Sequence, residues 1–350
     1  MPLPSDAEFA HFFATVLHKE LRRLEKLRLR VLAKVKILLL VCAGIIAISA
    51  YIGVTYQMIV PTLLVSSFVV GGIGWFFYRF LISEYVHQFK IGVIKKIVKF
   101  IDPGLTYWPT GHISAVRFNS SRIFEKYPDR MRGDDLVQGR IGDTEIVFSE
   151  IHAEHKTETA DRYGNRRRRY STIFKGLFFI ANFNKHFYGK TVVLPDTAER
   201  VLGGLGSLIQ SINTSRGEYV KMDDPEFEKY FVVYADDQIE ARYVLTPGLM
   251  RRIVEFRKKT GKRVYLSFVG SEVFVAIPYR RGLFEPPVFS KVTSFKNAQH
   301  YYEDLKLAIG IVDDLNLNTR IWTRLPSEVI PRDARIPNPK TCNPQWWTDI

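Results

Sequence analysis

Three shortages shape the reading of this 350-residue chain. It has only two cysteines, Cys42 inside a long apolar run and Cys342 near the end, so a structural disulfide between them is not expected and a reducing compartment is the simpler reading. From Ile37 to Tyr78 it has no Asp, Glu, Lys, Arg or His, an uncharged run of 42 residues that a soluble domain does not need. It also lacks a legible catalytic signature: no nucleophile, histidine and acid arrangement stands out, and no pair of carboxylates announces a hydrolytic site.

The uncharged run is too long for one membrane pass. A hydrocarbon core of about 30 Å takes about 20 helical residues. The run therefore predicts two spans, at 37–56 and 60–79, divided near Gln57–Pro61, where Pro61 interrupts helical hydrogen bonding. A secretory signal fits poorly, because the apolar run starts only at residue 37 and a second follows at once. Basic residues flank both outer ends, Arg22, Arg23, Lys26, Arg28, Arg30, Lys34 and Lys36 before and Arg79, Lys90, Lys95, Lys96 and Lys99 after, while the turn has none. The positive-inside rule then places both termini in the cytoplasm, in a multi-pass protein of the plasma (inner) membrane. Ala43/Ala47 and Ser67/Gly71 are small residues at helical spacing, suited to close packing of the two spans.

Apolar positions at three, four or seven residues continue both spans as helices, through Phe13, Leu17, Leu21, Leu24, Val31 and Val35 on one side and Ile82, Tyr85, Phe89, Val93, Ile97 and Phe100 on the other. Two readings stay open for the first arm: it packs on the second as a stalk, the favoured one, or it lies on the membrane with its basic residues on anionic lipid. Asp102-Pro103-Gly104 ends the second arm.

Beyond residue 104 short runs bounded by turn residues replace the long stripes. Strands are expected at Thr144–His152, Ile173–Asn182, Thr191–Leu194, Tyr230–Ala235, Ile239–Leu245, Val264–Val269 and Val273–Pro278. Helices are expected at Thr197–Ile212, from Pro247 to Lys259, and at Asn297–Asp313, with Leu315–Trp322 pairing with the sheet. The expected class is α+β: an N-terminal transmembrane helical hairpin with long helical arms, then a mixed, mainly antiparallel sheet domain with packed helices. Its divisions are 1–36 a cytosolic amphipathic helix, 37–79 the hairpin, 80–103 a helical arm, 104–325 a cytosolic α+β domain and 326–350 a Pro-rich extended tail containing Trp346-Trp347.

The blocks Phe174-Lys175-Gly176-Leu177-Phe178-Phe179, Asn182-Phe183-Asn184-Lys185, Glu240-Ala241-Arg242-Tyr243 and Leu315-Asn316-Leu317-Asn318-Thr319-Arg320-Ile321-Trp322 resemble those of an uncharacterised bacterial membrane-protein family, a domain of unknown function. The resemblance covers about residues 60–323. It implies a two-helix anchor with a cytosolic domain and an association with LemA-type helical membrane proteins, and it supplies no catalytic residues.

Chemistry-bearing candidates are few. Arg166, Arg167, Arg168 and Arg169 sit where a hairpin between the first two strands would have a long basic loop; four guanidiniums can grip lipid phosphate or another anion, and a solvated loop is the plain alternative. Glu150, His152 and Glu154 alternate along one strand face, a thin metal-ligand row that equally fits a polar outer face. Gly189-Lys190-Thr191 lacks the first glycine of a phosphate loop, and Asp314-Leu315-Asn316-Leu317-Asn318 lacks the glycine and glutamate of a calcium loop. No cofactor is expected. The formal charge of +14 favours an anionic contact. The first reading is a non-enzymatic, membrane-anchored binding or scaffold module engaging a protein partner, for which the resemblance implies a LemA-type protein, or an anionic lipid surface. Nucleic acid is disfavoured, because only Tyr163 and Tyr170 flank the arginines, and a homo-oligomer stays open. The rival is a membrane-associated enzyme whose Asp134, Asp135, His152 or Asp236 would meet in a pocket made only by the fold.

Overall fold

A computed structural model describes residues 3–160, 166–183, 186–196 and 217–318. The expected helix at 197–212 and the Pro-rich tail lie outside them. The chain divides into two compact units, one of Pro2–Ile101 with Phe284–Leu305 and one of Asp102–Leu283 with the chain from Lys306 on. The architecture is α+β: long N-terminal helices, then a nine-stranded antiparallel sheet with helices.

In the first unit, α1 (Asp6–Thr55) and α2 (Ile59–Ile101) are both long and apolar enough to cross a membrane. Ser5 starts α1 with a reciprocal cap: its hydroxyl accepts from the Glu8 N–H while the Glu8 carboxylate accepts from the Ser5 N–H at 2.6 Å. Pro61 does not break the second helix. It falls in the first turn of α2, where its missing N–H would have no helical partner anyway. The two helices run antiparallel and touch along their length. Phe12 stacks on Phe100 with ring centroids 4.3 Å apart, and Glu20 meets Lys96 at 3.3 Å. Close approach occurs at Gly74, where an added Cβ would lie 3.3 Å from the Cys42 Sγ, and at Gly53, where it would lie 2.9 Å from the Ile59 Cα. Of the small residues expected at this contact, Gly71 is not part of it, since a Cβ there meets open space.

The chain returns to this hairpin through 284–294 and the start of α7 (Phe295–Asp314). Phe9 stacks face to face on Tyr302 at 4.2 Å, and Phe13 meets Phe295 edge-on at 5.0 Å. Burying each such ring contributes about 1.5–3 kcal/mol. The helical stripes read from the sequence therefore have two partners, each other and a segment nearly two hundred residues further along the chain.

In the second unit the strands are β1 (Thr106–Trp108), β2 (Arg130–Ile141), β3 (Thr144–Ala160), β4 (Arg166–Asn182), β5 (Lys190–Pro195), β6 (Glu218–Val220), β7 (Phe231–Ala235), β8 (Tyr265–Val269) and β9 (Glu272–Pro278), in the spatial order β1-β2-β3-β4-β9-β8-β5-β7-β6. Every residue from Leu177 to Ala181 and from Val273 to Ile277 is buried, so the centre of the sheet is covered on both faces. One face carries Leu136, Ile151, Phe174, Phe178, Ile180, Val192 and Phe274, packed with Ile113, Phe118 and Ile123 from around α3 (Ala115–Ser120). Among the described residues, the other helices are α4 (Pro225–Glu228), α5 (Gln238–Val244) and α6 (Pro247–Thr260). Thr246 caps α6 and Gly261, at φ +62°, ends it in the left-handed region that glycine enters freely.

Three expectations are corrected. Ile239–Leu245 is the helix α5 rather than a strand, because Asp237 accepts hydrogen bonds from the Ile239 and Glu240 N–H groups and nucleates a helical turn. Leu315–Asn318 is a turn after α7 and pairs with no strand among the described residues, although Asn318 accepts a side-chain hydrogen bond from Thr144 at 2.7 Å. The first hairpin is much longer than the apolar runs suggested, since β3 and β4 continue past them through polar sequence.

Candidate functional site

The long hairpin decides where the arginines lie. Arg166, Arg167, Arg168 and Arg169 are in β4, not in a loop, and pair with Ala160, Thr159, Glu158 and Thr157 of β3. Backbone pairing needs no apolar face, and the charges are partly matched: Arg168 donates to Glu158 at 3.1 Å, which also meets Lys156 at 2.5 Å. These cations, Lys156 foremost, hold the Glu158 carboxyl below its ordinary range. Pairing of β3 with β2 ends at Glu154, and pairing of β4 with β9 begins at Gly176. Among the described residues, the rest of both strands pairs only with each other, making a two-stranded ribbon that runs on beyond the sheet. Between His155 and Thr172 the sequence carries five arginines and a lysine against one glutamate and one aspartate. Arg168 and Arg169 are exposed, and Tyr170 lies under the Arg130 guanidinium, 5.9 Å from its ring centre.

Glu150, His152 and Glu154 do share one face of β3, and each is half-buried. Their cross-strand neighbours are Asp134 and Leu177 for Glu150, Arg132 and Lys175 for His152, and Arg130 and Thr172 for Glu154. Directly opposed residues point to the same face, so two cations flank the imidazole and a third stands 3.9 Å from Glu154. The row is thus largely an ion-paired surface: His152 is 3.8 Å from Glu154 and 3.2 Å from the Thr172 hydroxyl, and Glu150 accepts from the Leu283 N–H at 2.8 Å.

The sequence reading did not bring Glu150 to the two adjacent aspartates. A β-bulge between Asp134 and Val137 falls at these aspartates, and the three carboxylates come within 4.8 Å of one another. Asp135 is fully buried, sits at φ +60° and accepts a hydrogen bond from the Tyr107 hydroxyl. Two consecutive aspartates inside a strand were the signal available, because an unbulged strand would point them to opposite faces. Asp236 does not join them. It follows β7, with five strands between β7 and β2, and pairs with Lys190 at 3.3 Å.

Residues 172–317 match a family described as a protein of unknown function (DUF3137). The match runs from Thr172 in β4 to the turn after α7, and the helical hairpin and Arg166–Arg169 fall outside it. No curated protein matches the chain. Among solved structures, the mycobacterial trehalose monomycolate transport factor A, TtfA, is similar over 61% of this chain and 92% of that one, at 11% identity and a TM-score of 0.28. A likeness of that size carries no argument about role. The DUF3137 description names no activity, substrate or partner.

Proposed function

We propose that this chain is a membrane-anchored binding module, in which α1 and α2 cross the bilayer as a hairpin and the sheet domain presents the basic β3–β4 ribbon to an acidic partner protein. One observation carries the anchor. The uncharged stretches of both helices leave their large apolar side chains in the open, with Leu40 73% and Phe68 84% exposed, an arrangement water would penalise and lipid would satisfy. From Lys36 to Tyr56 and from Ile59 to Arg79 each helix rises about 30 Å, one bilayer core. Tyr51 and Tyr56 near the turn, and Trp75 and Tyr78 near the basic flanks, stand where aromatic side chains prefer the two interfaces. The basic flanks support a reading in which both termini lie on the cytoplasmic side.

The ribbon supports the binding half of the reading. Two strands that leave their sheet keep outer edges available for a partner strand, and guanidiniums fit carboxylates bidentately. A LemA-type helical membrane protein is the first partner to try. In-membrane crosslinking of the full-length protein, beside a version with all four of Arg166–Arg169 changed to Ala, tests this. A protein captured through the ribbon and lost with the arginines supports the module. Crosslinks to lipid alone would replace the protein partner by an anionic membrane surface, and a capture pattern indifferent to the arginines would remove the ribbon from the account.

A further inference from the structure

The segment between β9 and α7 climbs the helical hairpin and turns back, and its contacts give the height of each step. Glu285 meets Lys90 at 3.2 Å; the Tyr85 hydroxyl donates to the Pro287 carbonyl at 2.9 Å; Arg28 donates to the Val288 carbonyl at 2.9 Å; the Val292 N–H donates to Glu25 at 3.0 Å; and Phe295 packs on Phe13. At 1.5 Å per residue, Lys90 lies about 16 Å from Arg79, Tyr85 about 9 Å from Arg79, Arg28 about 12 Å from Lys36, Glu25 about 16 Å and Phe13 about 35 Å from Lys36. The strap therefore has its apex at 287–291, nearest the start of the uncharged spans.

At that apex stands Phe289, 70% exposed, on a backbone fixed from below by Arg28 and Tyr85 and stiffened by Pro286 and Pro287. An exposed aromatic on a mobile loop is unremarkable; one at the tip of a pinned strap is held out toward something. Around the helices at about the same level lies a cationic collar. Arg30, Lys34 and Lys36 on α1, Arg79 on α2 and Lys291 on the strap are all exposed, and Glu84 is the one acid within 29–36 or 79–85. The headgroup zone adds about 5–8 Å to each side of the hydrocarbon core, which leaves Phe289 within a side chain's reach of it.

We infer that Phe289 is a third, interfacial contact of this protein with the membrane, seated among the headgroups and upper acyl chains of a leaflet containing anionic lipid. This rests on the reading that α1 and α2 span the bilayer. The contact would brace the hairpin at its cytoplasmic exit, since the strap ties α1 and α2 together at the level where the ring enters the interface.

The test uses the full-length protein in nanodiscs of phosphatidylethanolamine and phosphatidylglycerol, with bromine placed either near the carbonyl or near the end of the acyl chains as a contact quencher of tryptophan. Wild type compared with W75F isolates Trp75, which reports the span itself. W75F compared with W75F carrying F289W isolates the strap, and Ser290→Trp in the same background provides a second probe of the apex. The expected result is that Trp75 is quenched and that the added emission at 289 is quenched more by the shallow bromines than by the deep ones. Quenching of Trp75 with none at 289 or 290 overturns the inference and leaves the hairpin in place. Absence of quenching at Trp75 as well overturns both.

Discussion

Removing Arg28 should release the strap while leaving the sheet intact. The guanidinium is 5% exposed and makes three hydrogen bonds, two to Glu25 at 3.0 and 2.6 Å and one to the Val288 carbonyl at 2.9 Å. Glu25, also mostly covered, receives the Val292 N–H, so the pair clamps the strap at two points. Arg28→Ala strands a carboxylate and a carbonyl in a site built for a cation. Breaking one partner of a buried pair costs about 3–5 kcal/mol, and the residual exposure of Glu25 places this one near about 3. At about 1.4 kcal/mol per tenfold, the open population of the strap should rise about a hundredfold. Amide hydrogen exchange of residues 284–294 in the full-length protein reads this directly, with β4 and β9 as the internal standard. The Glu25→Ala, Arg28→Ala double variant should open the strap less than Arg28→Ala alone, because no unpaired charge is left behind. Strap exchange that changes by less than about tenfold in Arg28→Ala, or a double variant that is the worse of the two, would refute the clamp.

The same clamp predicts a pH response. Glu25 is held below its ordinary range, mainly by the hydrogen bonds from Arg28, so its contribution is complete above the usual glutamate range and is lost as pH falls through the depressed value; strap exchange, corrected for its intrinsic pH dependence, should rise only in that acidic window. Tyr85, pushed upward mainly by burial, stays a neutral donor to Pro287 through the neutral range; its contribution is complete below the usual tyrosine range and is lost as pH rises above it, so any further opening of the strap on the basic side should appear only there. In the hairpin, Gly53→Ala should cost about 1–3 kcal/mol in unfolding of the micelle-bound protein, since the new Cβ meets the Ile59 backbone and the Thr62 hydroxyl, whereas Gly71→Ala should stay within about 0.5 kcal/mol. At the bulge, Asp135→Val loses the acceptor for the buried Tyr107 hydroxyl and strains a left-handed backbone, and should cost at least about 1–3 kcal/mol in denaturant unfolding; Asp135→Asn, which keeps an acceptor and tolerates that backbone, should cost clearly less.

What the sequence made legible followed periodicity. The uncharged run and its helical continuations appear as α1 and α2, and β5, β7, β8, β9 and α6 lie within a residue or two of their patterns, because each had an apolar stripe and a strong turn or cap. What it hid lacked such a stripe. β2 begins Arg130-Met131-Arg132-Gly133-Asp134-Asp135, and the outer halves of β3 and β4 are almost wholly polar; these strands are held by backbone pairing and cross-strand ion pairs, which hydropathy does not register. α5 was misread because Ile239, Tyr243 and Val244 look like strand residues, while the decisive group, the Asp237 carboxylate, is a single capping side chain. Among the candidate residues, the arginine run was visible as composition and its place on a ribbon was not. The strap was out of reach for another reason: Arg28, Glu25 and Tyr85 act on a segment some two hundred residues or more away, and nothing in local pattern encodes such a pairing.

The most direct test of the central claim, that α1 and α2 form a membrane-spanning hairpin with the sheet domain on the side of the charged flanks, is single-cysteine labelling in intact cells with a membrane-impermeant maleimide. In a background with Cys42 and Cys342 changed to Ala, Met58→Cys reports the turn and Tyr188→Cys an exposed site of the sheet domain. The account predicts labelling at 58 without permeabilisation and at 188 only after it. Equal labelling of both positions in intact cells, or protection of both until the membrane is opened, would contradict it.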